Sequence, residues 1–218
     1  MITLSVILRF VPFNLYISAL AAGVPGVDPA TLIAMRMKRI PQDKIVMPLI
    51  FTNKAGVRVT VNQLETHYLA RGNVHQLAMA LIFAKRAGIP LEFEKAAAID
   101  LSGANVLEAV QMAVNPKVVE LPPMKVVTKD GLETETYVKV TLRSNIDNFV
   151  GANESTLTTK LSRDLSIAIA SADGYQTLAD DPSKITHSIV TSGYDETGAF
   201  EIVSIDVNGI MPLHSVKQ

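Results

Sequence analysis

Apolar positions are concentrated at the start of the chain. Residues 1–24 carry a single charge, Arg9, and residues 10–24 carry none. A helix over residues 10–24 would be about 22 Å long, short of the roughly 30 Å hydrocarbon core of a bilayer. Adding residues 1–8 gives enough length but places Arg9 inside the hydrocarbon core. An arginine at full depth there costs about 3 kcal/mol of insertion free energy. The pattern predicts a membrane-associated segment over residues 1–24, transmembrane, re-entrant or interfacial, with a buried core helix as the alternative.

Positive charges follow this segment closely. Asp28 and Pro29 predict the start of a helix, as the N-cap and first helical residue. The body of that helix carries Arg36, Lys38 and Arg39. Cations next to an apolar segment indicate the cytoplasmic side of a membrane, and each contributes about 1 kcal/mol when it contacts anionic headgroups. The alternative interpretation is an ordinary solvated helix face.

Beyond residue 56 the apolar spacing predicts alternating short elements of a globular domain. The clearest is a helix that Asn73 caps and that ends at Gly88, before Pro90. Another capped helix begins after Asn105 and stops before Pro116. The remaining elements predicted here are a strand at 57–61, a helix at 63–70 and a strand beginning at 91–94.

From residue 117 the apolar positions alternate with a period of two, which is typical of strands. A hairpin is predicted between residues 125–128 and 133–143, with Asp130 and Gly131 supplying the positive φ angles of a tight primed turn. The buried face of the second strand is expected to carry Val138, Val140 and Leu142.

A Ser/Thr-rich helix follows the hairpin. Its predicted apolar stripe consists of Leu157, Leu161, Leu165 and Ala168. A short helix from 181 to about 193 and a strand at 200–207 complete the pattern. Because strands and helices mix without regular βαβ alternation, the predicted fold class is α+β.

Composition narrows the functional classes. The 218 residues contain no cysteine, which excludes disulfides, thiolate metal sites and a cysteine nucleophile. Lys and Arg number 20 against 21 Asp and Glu, so the basic excess typical of nucleic-acid binders is missing. The mean hydropathy of +0.27 is high for a soluble domain and agrees with a membrane contact.

Candidate catalytic and metal-binding residues are few. The nucleophile-elbow, P-loop and dinucleotide-binding motifs are absent. The histidines, His67, His75, His187 and His214, lack metal-ligand spacing and are expected to be surface or partly satisfied residues. Glu92 and Glu94 are expected to share the solvated face of a strand, and Asp195-Glu196 has no evident partner. We therefore expect no catalysis, cofactor or metal.

Several blocks in order resemble one known family. These are FVPFNLYISALAAGV, NKAG, VNQLETHYLARGNV, AAAIDLSGANVLEAVQMAVNPKVVE and FEIVSIDV. Together they are similar to the bacterial flotillin-like protein A family, within the band-7/SPFH superfamily. The resemblance runs from residue 10 to 207 without large gaps.

The resemblance implies a membrane scaffold without catalysis. Flotillin-like proteins insert an N-terminal segment into the bacterial cell membrane, hold an α+β SPFH domain on the cytoplasmic side and form homo-oligomers. They organise raft-like microdomains of lipids and client membrane proteins. The division implied here is 1–24 for insertion, 25–56 for a basic membrane-proximal region, 57–210 for the SPFH/band-7-like domain and 211–218 for a tail.

Site residues follow from the same comparison. The membrane-inserting residues are expected to be Phe10, Val11, Phe13, Leu15, Tyr16, Ile17 and Leu20. The headgroup-contacting residues are expected to be Arg36, Lys38 and Arg39. The expected partners are membrane lipids, further copies of the chain and client membrane proteins, and nucleic acid is not among them.

Two departures from the family pattern bear on these expectations. The family's N-terminal aliphatic stretch is longer than the eight residues and Arg9 that precede Phe10. Its long Ala/Glu-rich helix, which forms coiled-coil contacts, is not part of the sequence to residue 218, so homo-oligomers are expected to be weaker. The alternative function is a peripheral regulatory module that binds a membrane protease or secretion complex, as in prohibitin-like relatives.

Overall fold

A computed structural model describes residues 12–172, 174, 176 and 198–215. Helices and an antiparallel sheet are combined, so the α+β prediction is confirmed. The chain divides into two compact units at the boundary between residues 110 and 111. The described helices are α1 (Phe13–Ala21), α2 (Pro29–Met37), α3 (Gln42–Lys54), α4 (Val61–Leu69), α5 (Val74–Ala87), α6 (Phe93–Leu101), α7 (Val106–Val114) and α8 (Glu154–Ser171). The strands are β1 (Lys117–Glu120), β2 (Met124–Val127), β3 (Leu132–Ser144) and β4 (Phe200–Ser215), and a 3₁₀ turn occupies Ile146–Asn148.

Helix α3 is the centre of the first unit and packs against α1, α2, α4 and α5. Its buried apolar residues are Ile45, Val46, Leu49 and Ile50. At its end, the Asn53 side-chain amide donates to the carbonyl oxygens of Ala22 and Gly23, at 2.8 and 3.3 Å. The end of α1 is thus tied to the end of α3.

Helices α1 to α5 all end in the same hydrogen-bonded turn, with a residue of left-handed conformation. In α1 and α3 this residue is a glycine, Gly23 and Gly56. In α5 this residue is Gly88, at φ 73°, as the sequence predicts. In α2 and α4 it is an arginine, Arg39 at φ 59° and Arg71 at φ 68°. A side chain in this conformation costs about 1–2 kcal/mol relative to right-handed backbone, so both arginines hold positions that favour glycine.

Two predicted strands of the first unit are wrong. Residues 57–60 form an irregular approach to α4, in which Thr60 accepts from Gln63 N and Gln63 Oε1 accepts from Thr60 N. This capping box outweighs the Val-Arg-Val-Thr-Val alternation. Residues 91 and 92 lead into α6, so Glu94 lies in the first turn of a helix and not on a strand.

The second unit is built on the long strand β3. Strands β1 and β2 pair with one edge of β3, and β4 pairs with the other edge from Leu132↔Ser215 to Ser144↔Phe200, all antiparallel. The buried face carries Val138, Val140 and Leu142, as predicted. Strand β4 continues to Ser215, beyond the predicted end at residue 207, and its ladder with β3 contains register shifts.

The β2–β3 hairpin forms, but with a different turn. Gly131 N donates to Thr128 O at 2.9 Å, and among residues 128–132 only Gly131 has a positive φ, at 76°. This is a type I turn followed by a left-handed glycine, and the predicted primed turn through Asp130 and Gly131 is wrong. The Thr128 hydroxyl stabilises the loop by hydrogen bonds to the Asp130 carboxylate and the Leu132 carbonyl oxygen.

Helix α8 packs against β2 with a regular apolar stripe. Leu157, Leu161 and Leu165 are buried as predicted, and Ile169 takes the place expected for Ala168. The predicted helix at 181–193 lies outside the described residues.

In the described part of the chain, no helix has the length and apolar character needed to cross a membrane. The predicted transmembrane helix is therefore not found there, and residues 1–11 lie outside the described range.

Candidate functional site

One face of α1 carries large apolar side chains that are exposed. Phe13, Ile17 and Leu20 are 59%, 48% and 66% exposed. Their spacing of four and three residues places them on one side of the helix, and we call these three residues the apolar stripe. Ala19 is buried, so α1 packs on the opposite side. The helix therefore presents an apolar surface to its surroundings.

The other predicted membrane-inserting residues have different environments. Leu15 and Tyr16 are half-buried. Leu15 lies on the packed side of α1 near Ala19, whereas Tyr16 borders the apolar stripe. Phe10 and Val11 lie outside the described residues. The structure thus places three of the seven predicted side chains in an exposed position together.

The three predicted headgroup residues lie at the end of α2. Arg36 is exposed in its last turn, and Arg39 is exposed in the left-handed position that ends the helix. Lys38 is half-exposed and forms a 2.6 Å ion pair with the buried carboxylate of Glu65. Lys38 therefore has an internal role, since it neutralises a charge that would otherwise be buried alone.

Met37 was not singled out in the sequence, yet it is 79% exposed between these cations. An exposed methionine between basic residues combines apolar and electrostatic attraction to an interface. Its position just after the helical stripe of α2 is the signal that could have found it.

Helix α2 begins as predicted. The Asp28 carboxylate accepts from the Thr31 backbone N–H at 2.6 Å, and Pro29 occupies the first helical position. Hydrogen bonds from the backbone and side chain of Thr31 lower the pKa of Asp28. The ionised cap also suits the positive N-terminal end of the helix dipole.

His67 and Asp100 form a buried contact, with 2.8 Å between Nε2 and Oδ2. The same Asp100 oxygen accepts from the backbone N–H of Asn73 at 2.6 Å. Within the described chain, Nδ1 of His67 has no hydrogen-bond partner. The pair therefore links α4, α6 and the turn before α5. His67 is partly satisfied, as predicted, but its partner 33 residues away has no local sequence signal.

A cavity of about 610 Å³ opens between α3 and the turn that joins α4 to α5. The helix α3 contributes Lys44, Met47, Pro48 and Phe51. The turn contributes Arg71, Gly72 and Asn73, and α5 contributes His75 from its first turn. Sequence reasoning did not find this site, because its cations come from segments that are far apart in the chain.

Comparison with known proteins gives one consistent result. The chain matches the family described as "Flotillin-like protein FloA" over residues 1–214. It is 49% identical over 209 residues to the flotillin-like protein FloA of Dictyoglomus turgidum, covering 95% of this chain and 63% of that protein. It is 45% identical over 207 residues to FloA of Staphylococcus aureus strain JH9, covering 94% of this chain and 63% of that protein.

The chain thus spans just under two thirds of the length of these curated relatives. No solved structure matches it significantly. The family match covers nearly every residue, and the identity extends through both units. The chain therefore belongs to the FloA family of flotillin-like proteins.

Proposed function

We propose that this chain is a scaffold of the bacterial cytoplasmic membrane that inserts the apolar stripe of α1 into lipid, self-associates and organises microdomains. The observation that carries the proposal is the joint exposure of Phe13, Ile17 and Leu20 on one helix face. Side chains of this size seldom form a contiguous exposed patch on a soluble monomer, and such patches mark interaction surfaces. Family membership supports a bacterial membrane as the occupant.

The energetics favour insertion by several chains together. Full burial of a Phe, Ile or Leu side chain gains about 1.5–3 kcal/mol, so three half-exposed ones gain about 3–5 kcal/mol. Arg36 and Arg39 add about 1 kcal/mol each near anionic lipid. One copy then binds a bilayer reversibly, whereas linked copies bind much more tightly through their combined contacts. Self-association would thus concentrate the protein and its lipids in one patch.

Flotation with liposomes of bacterial lipid composition tests insertion. The full 218-residue chain should float at both low and high salt, because salt screens headgroup attraction and leaves apolar burial intact. Leu20→Gln should reduce the floated fraction several-fold at high salt. Leu69→Gln is the matched control, since Leu69 is similarly exposed on α4, outside the apolar stripe.

Three results would contradict the proposal. The first is equal loss of flotation in both variants, and the second is flotation that disappears at high salt. The third is a chain lacking residues 1–24 that stays on native membranes only where a particular partner protein is present, which would favour the prohibitin-like regulatory module. Mass photometry of the floated protein tests self-association, and a single-copy mass would contradict it.

A further inference from the structure

The cavity between α3 and the α4–α5 turn has one apolar wall. Met47, Pro48 and Phe51 line it from α3. These residues follow Lys44 at helical spacing, so one face of α3 presents a cation at one end and apolar groups beyond it. A volume of about 610 Å³ lies within the usual range for small-molecule sites, roughly 300–1,000 Å³.

Basic residues also line the cavity. Lys44, Arg71 and His75 line the cavity from three different segments. Among the residues that the structure describes, their side chains make no hydrogen bond or ion pair. The charges of Lys44 and Arg71 have no protein partner in the described part of the chain, and the imidazole of His75 can donate a hydrogen bond, so this lining is available to an anionic ligand.

Arg71 occupies its position at a conformational cost. Its φ of 68° is in the left-handed region, where glycine would avoid a penalty of about 1–2 kcal/mol. The turn is held firmly, because Gly72 N donates to His67 O and Asp100 accepts from Asn73 N. Arg71 thus lines the cavity from a turn whose backbone is held in place by hydrogen bonds.

The carboxylate of Asp43 also lines the cavity. An anionic lining group disfavours a densely charged anion and offers an acceptor to a hydroxyl group. A phosphodiester with an attached polyol and an apolar tail satisfies all three kinds of lining.

We propose that this cavity binds the headgroup of an anionic phospholipid of the phosphatidylglycerol type. The phosphodiester lies against Lys44, Arg71 and His75, and a glycerol hydroxyl donates to Asp43. The start of the acyl chains contacts Met47 and Phe51. This site is separate from the apolar stripe, so it gives the protein lipid selectivity that insertion alone does not supply.

Binding can be measured without a bilayer. The full chain is kept in a neutral maltoside detergent and titrated calorimetrically with dibutanoylphosphatidylglycerol, whose chains are too short to form micelles. We expect saturable binding at one site, and about tenfold weaker binding for Lys44→Gln and for Arg71→Gly, since each loses a charge-assisted contact. Lys54→Gln is the matched control because it removes the same charge from α3 outside the cavity. It should bind like the unaltered chain.

The Arg71→Gly variant also separates binding from folding. Glycine relieves the left-handed strain, so a loss of binding with unchanged or raised thermal stability assigns the effect to the guanidinium. Inorganic phosphate and dibutanoylphosphatidylcholine are titrated in parallel, and both should bind much more weakly.

Three outcomes would overturn the proposal: no saturable binding, binding that Lys54→Gln weakens as much as Lys44→Gln, or inorganic phosphate binding as tightly as the lipid. The last result would make the cavity a site for free phosphate. None of these outcomes depends on flotation, so the cavity and the apolar stripe are tested separately.

Discussion

Gly72 lies directly over the imidazole ring of His67. A methyl group at Gly72 would approach Nε2 of His67 more closely than 3.0 Å, a separation that Cβ contacts do not tolerate. The ring cannot easily retreat, because it is buried and Nε2 lies 2.8 Å from the Asp100 carboxylate. Gly72 is therefore required by close packing, and its φ is not in the left-handed region.

Gly72→Ala should destabilise the protein by about 3 kcal/mol, as expected for overpacking against a fixed buried group. Urea unfolding followed by circular dichroism measures this change. Gly209→Ala is the control, because a methyl group there meets no atom within 4 Å. If the two substitutions lower the free energy of unfolding equally, Gly72 is not closely packed on His67.

Arg39→Gly and Arg71→Gly should each stabilise the fold by about 1 kcal/mol, because glycine removes the left-handed penalty. Gly88→Ala introduces the same penalty at the end of α5 and should destabilise by a similar amount. Thermal unfolding of the three variants tests whether the two arginine substitutions raise the melting temperature while Gly88→Ala lowers it. Stabilisation by Arg39→Ala as large as that by Arg39→Gly would point to charge rather than backbone conformation.

The N-cap Asp28 should make α2 sensitive to acid. Hydrogen bonding to Thr31 places the pKa of Asp28 below its ordinary value of 3.8. Its stabilising contribution is therefore complete above that ordinary value and is lost as the pH falls through the lower pKa of the folded state. Asp28→Asn keeps a capping side chain without this titration.

Unfolding free energies of Asp28→Asn and the unaltered chain, measured from pH 7 to pH 2, test the linkage. The unaltered chain should be the more stable at pH 7, and the difference should shrink in the most acidic samples. A difference that grows as the pH falls would have the wrong sign for a lowered pKa.

Leu165→Ala on α8 should cost about 2–5 kcal/mol, because Leu165 is fully buried and its loss leaves a cavity. Ile167, two residues later, is largely exposed, and Ile167→Ala should change the unfolding free energy by less than about 0.5 kcal/mol. Chemical denaturation gives both values. Similar losses of unfolding free energy at the two positions would contradict the burial of Leu165 on the packed face of α8.

The elements that the sequence predicts well contain local residues that mark where they start and end. Asn73 and Gly88 bound α5 as expected, since a side-chain cap and a left-handed glycine act within one turn of the helix. The alternation in β3 likewise identifies its buried face. In these places local chemistry and tertiary packing favour the same structure.

The misassigned elements are short runs where two local signals compete. Residues 57–61 alternate like a strand, but Thr60 and Gln63 form a capping box that starts a helix. At residues 91–94 the structure has no side-chain cap, so nothing local marks the start of α6. The helix is held by contacts that are distant in sequence, through its packing against α5 and the bond between Asp100 and His67.

The candidate sites were predictable in part. Hydropathy identifies the region of the apolar stripe, but which residues face outward depends on how α1 packs against α3. The cavity was beyond sequence reasoning, because Lys44 and Arg71 meet only through the folding of α3 and α4. The same is true of Glu65 as the partner of Lys38.

The pairing of β3 with β4 has a consequence for synthesis. Strands β1, β2 and β3 have all been made once Ser144 is added, whereas Phe200, its partner in β4, is added about 56 residues later. At about 5–20 residues per second, one whole edge of β3 waits several seconds for its hydrogen-bonding partner. During that interval the nascent chain offers a 13-residue template to the β4 of a neighbouring chain on the same messenger. Translation speed between these two strands would therefore influence whether each copy closes its own sheet or exchanges strands with another.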